Sequence, residues 1–314
     1  MSLNAMELDA AAAHLRAGGL VAFPTETVYG LGARARDPLA VRQIFATKGR
    51  PADHPLIVHL ADADWLGRWA RLDAPLGGLA SKLADAHWPG PLTLVLPRAS
   101  DVPDEVTGGL ETIGLRVPAH PVARALIEAV GEGLAAPSAN RFGRVSPTTA
   151  AHVAAEFGTA VPVVDGGACM VGVESTILDL SGTEPALLRP GGVPVEALEA
   201  RIGPVQRRGT TRAPGTLASH YAPHTALVLT DDLEGERVRQ LDRGLRVATL
   251  AAGEPDDHAR RLYAELRRLD GLGVDVLVAE RAAPGGLGDA INDRLTRAAH
   301  DHLPSSLNPT SDRG

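Results

Sequence analysis

Leu92-Thr93-Leu94-Val95-Leu96-Pro97 is the stretch on which the fold turns: an apolar run interrupted only by Thr93 and stopped by proline. It reads as a strand buried in a sheet. Working outward, TIGLRVP (112–118), VPVVDG (161–166), STILDL (175–180) and ALLRP (186–190) are runs of the same kind, ended by Pro, Gly or Asp. Helical spacing lies around 61–71, 75–87, 119–130, 147–157 and 194–202. Toward the start, Met6 to Arg16 has helical spacing and stops at Gly18-Gly19, and Leu20 to Phe23 is a short strand ended by Pro24. Asp37-Pro38 opens another helix, with Asp as N-cap and Pro at the first helical position. Strands alternating with helices predict one large α/β domain over 1–204.

From 205 to 224 the pattern fails, and proline, arginine, histidine and tyrosine give a stiff linker rather than a Gly/Ser coil. Beyond it ALVLT, LRVATLA and VDVLVAE are three strands separated by helical segments, with a further helix near 287–300. Residues 225–304 therefore read as a small parallel βαβαβ domain, and 305–314 as a frayed tail.

The 314 residues are 44% hydrophobic and 22% charged, ample for a packed core, and about 100–200 residues per domain gives two domains. A net charge of −7 argues against a protein that coats polyanions, though a local basic cleft is compatible with it. Aromatics at 3% disfavour a surface that stacks single-stranded bases. One cysteine, Cys169, offers neither a disulfide nor a zinc ligand set. With no secretory pattern and no apolar stretch of about 20 residues, the expected location is the cytoplasm.

Several familiar signatures are missing, among them G-x-x-x-x-G-K-[ST], H-E-x-x-H, C-x-x-C and G-x-S-x-G. Gly30-Leu31-Gly32-Ala33-Arg34-Ala35 mimics a dinucleotide loop, but no acidic residue ends a second strand at the required distance. Polar groups crowd instead where strands end. Pro24-Thr25-Glu26-Thr27-Val28-Tyr29-Gly30 is a hydroxyl-rich loop able to present donors to a small ligand, or a plain turn. Lys48-Gly49-Arg50 offers two cations at a helix end, an anion site or a solvated terminus. Thr112, Gly114 and Arg116 share one strand face, and an arginine there needs an anion or a surface ion pair. Ser138 and Asn140 supply short rigid donors and acceptors, and Ser146 has the look of an N-cap for the helix after Pro147. Glu174-Ser175-Thr176 and Leu188-Arg189-Pro190-Gly191 add hydroxyls and another strand-end arginine.

In this order, Pro-Thr-x-Thr-x-Tyr-Gly-Leu, Lys-x-Arg, Arg-Val-Pro, Pro-Ser-x-Asn, Glu-Ser-Thr-Ile and Leu-Arg-Pro-Gly resemble the YrdC-like family of L-threonylcarbamoyladenylate synthases. The resemblance covers residues 8–204, and His-Tyr-Ala-Pro at 220–223 extends it to the longer two-domain form. It implies a large twisted mixed sheet with helices, followed by a small three-layer, Rossmann-like parallel domain. It also implies synthesis of threonylcarbamoyl-AMP and pyrophosphate from threonine, bicarbonate and ATP, for modification of tRNA beside the anticodon, with a transferase complex as partner. By resemblance, Thr27, His59, Arg116 and Ser175 hold threonine, with Ala136 lining that site through its backbone. Arg50, His54, Thr112, Ser138, Asn140, Ser146, Arg189 and Tyr221 hold ATP, with Lys48 near its phosphates and Lys48 and Arg50 as the catalytic pair. His54 and Ala136 stand where the family often has Asn and Thr.

The residue types suit the chemistry. Two anions must meet, which calls for cations, and phosphoryl-type transfer asks mainly for positioning and charge stabilisation. Mg²⁺ is expected to arrive on ATP and water rather than on a protein ligand cluster. Two other readings fit parts of the pattern. One is a double-stranded RNA or tRNA-binding module. The other is a carbamoyl-transfer enzyme of hydrogenase maturation, which would need zinc-binding cysteines that this chain lacks.

Overall fold

A computed structural model describes residues 6–207, 209 and 211–300. The expected tail at 305–314 lies outside these residues. The first domain is built on eight strands: β1 (Val21–Phe23), β2 (Gly30–Arg34), β3 (Ile57–His59), β4 (Leu92–Pro97), β5 (Thr112–Arg116), β6 (Leu134–Ala135), β7 (Thr176–Asp179) and β8 (Ala186–Arg189). They lie in the order β1-β2-β6-β3-β5-β4-β7-β8, parallel at β3–β5 and β4–β7 and antiparallel elsewhere. LTLVLP becomes β4, buried at every position between β5 and β7. A strand covered on both faces requires such an unbroken apolar run.

Helices α1 (Leu8–Arg16), α2 (Pro38–Lys48), α3 (Gly77–His87), α4 (Asp104–Thr107), α5 (Pro121–Val130), α6 (Ala150–Phe157) and α7 (Val195–Ile202) cover this sheet. Leu15 of α1 and Leu126 of α5 form one apolar cluster with Phe23 and Leu134. A larger cluster joins Ile44, Leu83 and Leu198 to Leu94 and Leu115. Three details differ from the sequence reading. VPVVDG docks beside β1 through one bridge, Ala22 to Val163, instead of forming a ladder. Pro162 has no N–H to donate there, and β1 is only three residues long. The segment around 61–71 is a 3₁₀ helix at Ala63–Arg68. The helix expected after Pro147 starts at Ala150, with Thr149 as its cap, which leaves Ser146 to bond elsewhere.

The second sheet holds β9 (Ala226–Thr230), β10 (Val247–Leu250) and β11 (Val276–Glu280), all parallel, in the order β10-β11-β9. The helices α9 (Pro255–Asp270) and α10 (Leu287–Ala299) pack on each other, and α8 (Leu233–Asp242) packs against β10 and β11. This is the expected three-layer parallel unit. Its apolar core does not close on itself. Val28, Val145, Val173 and Tyr221 complete the cluster formed by Leu262, Tyr263, Ile291 and Leu295.

The docking is tight at Gly172. Its φ is +82°, and a Cβ there would stand 2.3 Å from the Ala259 carbonyl oxygen and 2.4 Å from the Arg260 Cα. Because backbone cannot yield as a side chain tip can, Gly172→Ala should destabilise the protein by about 1–3 kcal/mol, combining left-handed strain with overpacking. Thermal or urea unfolding measures this; an unchanged midpoint would show that the α9 contact is loose.

Candidate active site

The Lys48-Gly49-Arg50 motif gains its geometry from the end of α2. Asp37 caps the start, accepting from the Leu39 and Ala40 N–H groups at 3.0 and 3.1 Å. Gly49 ends it in the left-handed region, φ 64°, and the Arg50 N–H returns to the Phe45 carbonyl at 3.0 Å. The turn sends both cations inward, where Lys48 is 3% and Arg50 8% exposed. The solvated-terminus reading is therefore excluded. Lys48 Nζ donates to the carbonyls of Ser138 and Asn140 at 2.5 and 2.6 Å, clamping the Pro-Ser-x-Asn segment against the helix. Arg50 Nη2 donates to the Pro55 carbonyl at 3.0 Å, its guanidinium lies 5.7 Å from the Phe142 ring, and its Nε has no partner.

Opposite stand the strand ends. Register pairs His59 of β3 with Arg116 of β5. Arg116 is bound by Glu26 at 2.6 Å, by the Thr27 hydroxyl at 2.9 Å and by the Gly90 carbonyl at 3.2 Å. Its anion partner is thus a buried carboxylate of the Pro-Thr-x-Thr loop, and the surface-pair reading fails. That loop is held by Thr25, whose hydroxyl donates to the Val28 carbonyl at 2.6 Å. Arg189, at the end of β8, donates to the Ser175 carbonyl at 2.8 and 3.2 Å and to its hydroxyl at 3.2 Å. Ser175 in turn shares a 2.8 Å hydrogen bond with Thr93.

These groups surround one cleft, whose lining includes Thr27, Lys48, Arg50, His59, Arg116, Ala136, Ser138, Asn140, Ser175, Arg189 and Tyr221. Three expected site residues fall outside it. His54 lines an adjoining pocket with Arg50, Phe142 and Arg212, and Thr112 lines a shallower one with Thr93 and Pro214. Ser146 is fully buried and donates to Glu174 at 2.7 Å, so it braces the wall instead of capping a helix. The linker closes the rim. Arg189 Nη1 donates to the Pro214 carbonyl at 3.1 Å, and a Cβ at Gly215 would stand 2.2 Å from the Tyr221 hydroxyl. Tyr221 itself is 1% exposed, at φ 63°, and its hydroxyl has no partner.

The electrostatics are one-sided. Among the described residues no carboxylate pairs with Lys48, Arg50 or Arg189. Burial, then Arg50, holds Lys48 well below the usual ammonium value, and burial lowers Arg50 to about 10. Burial, then the neighbouring arginine, lowers His59 to about 3, so it is neutral at physiological pH; burial likewise takes His220 to about 3. Burial alone would raise the Glu174 carboxyl, but Arg294 and Arg189 outweigh it and hold it near about 2. Sequence reading named none of Glu26, Glu174 as a charge, Arg294, Phe142 or His220. Glu26, Glu174 and His220 sat inside quoted motifs, while nothing in the pattern of α10 marks Arg294 as a site residue. Among the described residues no group of three or more His, Cys, Asp or Glu side chains could hold a metal ion, and no helix is long and apolar enough to cross a membrane.

The two buried histidines and Glu174 make the fold acid-sensitive in one direction. Their folded values lie below their unfolded ones, so the unfolded chain takes up protons first, and stability falls between pH 6.5 and about 2–3. The loss is about 1.4 kcal/mol per group for each pH unit separating its two values. Urea midpoints from pH 7 down to pH 4 should decline steadily; a flat profile would contradict the burial of these groups.

The likenesses to known proteins agree with this geometry. A family model described as telomere recombination (Sua5/YciO/YrdC) matches residues 13–191, and one described as threonylcarbamoyl-AMP synthase, C-terminal domain, matches residues 193–300. The threonylcarbamoyl-AMP synthase of Pyrococcus abyssi is 43% identical, over 92% of this chain and 93% of that protein. The Bacillus subtilis one is 41% identical, over 95% and 94%. A crystal structure of P. abyssi Sua5 complexed with L-threonine superposes with a TM-score of 0.87 at 41% identity, covering 94% of this chain and 96% of the other. The chain therefore belongs to the Sua5/YrdC family of threonylcarbamoyl-AMP synthases, in the form that carries both domains.

Proposed function

We propose that this cleft joins L-threonine, bicarbonate and ATP into threonylcarbamoyl-AMP, pyrophosphate and water, the water leaving as the threonine amine and bicarbonate form N-carboxythreonine. This nucleotidyl transfer supplies threonylcarbamoyladenosine for tRNA beside the anticodon. The observation that carries the assignment is the set of buried cations with no carboxylate partner, Lys48, Arg50 and Arg189, around a single cleft. Burying a cation is costly unless an anion arrives, so such a cleft has its lowest energy when filled by a polyanion. The P. abyssi protein, whose fold this chain shares, was crystallised with L-threonine.

In this reading threonine sits at the strand ends, held by Thr27, His59, Arg116 and Ser175 against the Ala136 backbone. His59, being neutral, offers an unprotonated nitrogen, and Arg116 keeps a fixed orientation because Glu26 and Thr27 hold it. ATP lies toward Arg50, Ser138, Asn140 and Arg189 under the linker, with His54 and Thr112 in the adjoining pockets. A carboxylate oxygen of N-carboxythreonine attacks the α-phosphorus, the bond to the β-phosphate oxygen breaks, and pyrophosphate leaves with that electron pair. Lys48 and Arg50 stabilise the charge that moves onto the leaving group. No covalent enzyme intermediate is needed. A divalent cation such as Mg²⁺ would be carried by the phosphates and water, which suits a cleft whose lining is cationic rather than acidic. Tyr221 and the Pro214–Gly215 turn act as a lid that keeps water from a labile product. The product passes to a tRNA threonylcarbamoyltransferase complex, and the enzyme works in the cytoplasm.

The two other readings fare less well. A duplex cannot enter a cleft whose cations are nine-tenths buried. The hydrogenase-maturation reading needs zinc-binding cysteines, and the chain has one cysteine.

Pyrophosphate release should require threonine and bicarbonate together, since the attacking group is the carboxylate they form; release at full rate with either omitted would overturn the assignment. Arg50→Ala should lower synthesis at least about tenfold, one charge-assisted contact being worth roughly 1.5–3 kcal/mol. Lys48→Ala should lose as much activity and unfold earlier as well, because it also releases the two carbonyls at Ser138 and Asn140. Steady-state turnover and thermal melts of the two variants separate these effects.

A further inference from the structure

Glu174 is the one carboxylate among the residues lining the cleft. A carboxylate in the wall of a polyanion site repels its ligand unless its charge is cancelled. Arg189 of the same domain offsets part of it, but the cation in direct contact with it comes from the other domain. Arg294 of α10 has no exposed surface, and its Nε donates to Glu174 Oε2 at 2.8 Å. Tyr263 of α9 donates to the same oxygen at 2.7 Å, while Ser146 serves Oε1. Arg294 Nη1 further donates to the Pro190 carbonyl at 2.9 Å and to Asp293 at 2.7 Å. Its guanidinium also lies 5.2 Å from the ring centroid of Tyr221, which stacks on Tyr263 at 5.8 Å.

We infer that Arg294, although it sits in the C-terminal domain, is a positioning residue for nucleotide binding: it cancels the Glu174 charge and seats Tyr221, so the cleft accepts a polyanion only while the two domains are docked. This rests on the reading of the cleft as the ATP site. It adds that the second domain is an electrostatic part of the first domain's site. A purely mechanical clamp would predict that any change to the pair weakens binding. Charge cancellation predicts shifts of opposite sign for the two partners.

The test is ATP affinity by calorimetry in the presence of threonine, on the full chain and independent of turnover. Glu174→Gln keeps one acceptor oxygen for Arg294 and Tyr263, turns an amide N–H toward the Ser146 hydroxyl and removes the negative charge, and should tighten ATP about threefold or more. Arg294→Met should weaken it about tenfold or more, and Arg294→Lys, which keeps the charge, should stay within about threefold of the parent. Adding Glu174→Gln to Arg294→Met should recover at least about threefold of the loss. Should Arg294→Met not fold, Glu174→Gln and Arg294→Lys decide the matter alone. Weaker or unchanged ATP binding in Glu174→Gln overturns the inference, as does a folded Arg294→Met that binds like the parent. A parent protein that binds ATP yet releases no pyrophosphate would sink the assigned reaction while leaving the charge pattern readable.

Discussion

Like charges held out of water in one small space are the constraint on which the rest of this structure depends. Lys48, Arg50, Arg116 and Arg189 are each less than a tenth exposed and line the same cleft. Each such group costs several kcal/mol to desolvate, and their mutual repulsion adds to that. The chain meets the cost in three different ways. Arg116 takes a full counter-charge from Glu26. Lys48 and Arg189 are held by backbone carbonyls, which offset part of the charge while leaving the rest of the field for a ligand. Arg50 has one carbonyl and the face of Phe142.

That arrangement explains the irregular backbone at the site. Carbonyls free to serve buried cations cannot also serve a ladder, so the supporting segments 137–140, 174–175 and 190–192 leave regular sheet where they reach the cleft. The apolar frame around them is correspondingly rigid, with every residue of β4 buried and Ile113 and Leu115 of β5 in the same apolar cluster. Rigidity is what keeps the donors aimed when the cleft is empty.

The strands and helices were legible because their periodicity follows burial: LTLVLP, TIGLR and the three strands of the second domain appear where the apolar runs placed them. VPVVDG misled because an apolar run ended by turn residues looks alike whether it forms a ladder or merely docks, and Pro162 decided between the two. The site was legible for a different reason. Cations at strand and helix ends stand out one by one, and their order along the chain carries the family resemblance. What stayed hidden was the compensation. Glu26 and Glu174 looked like ordinary members of polar motifs, and Arg294 lies 120 residues beyond the carboxylate it serves. Long-range pairing leaves no trace in local spacing, and the N-cap reading of Ser146 failed for the same reason, since its partner Glu174 is also distant.

The second domain is best understood through what the first lacks. Val28, Val145 and Val173 form an apolar face immediately behind the cleft, and Tyr221 lies buried among them in a left-handed conformation at φ 63°. A tyrosine in that region is held there against about 1–3 kcal/mol of backbone strain, so something outside the linker must hold it. Tyr263 stacks on its ring, Arg294 lies over it, and the Ala222 N–H reaches back to the Gly143 carbonyl at 2.8 Å. The same two side chains that seat Tyr221 also bind Glu174. Linker position and the counter-charge of Glu174 thereby rest on the same interdomain contact.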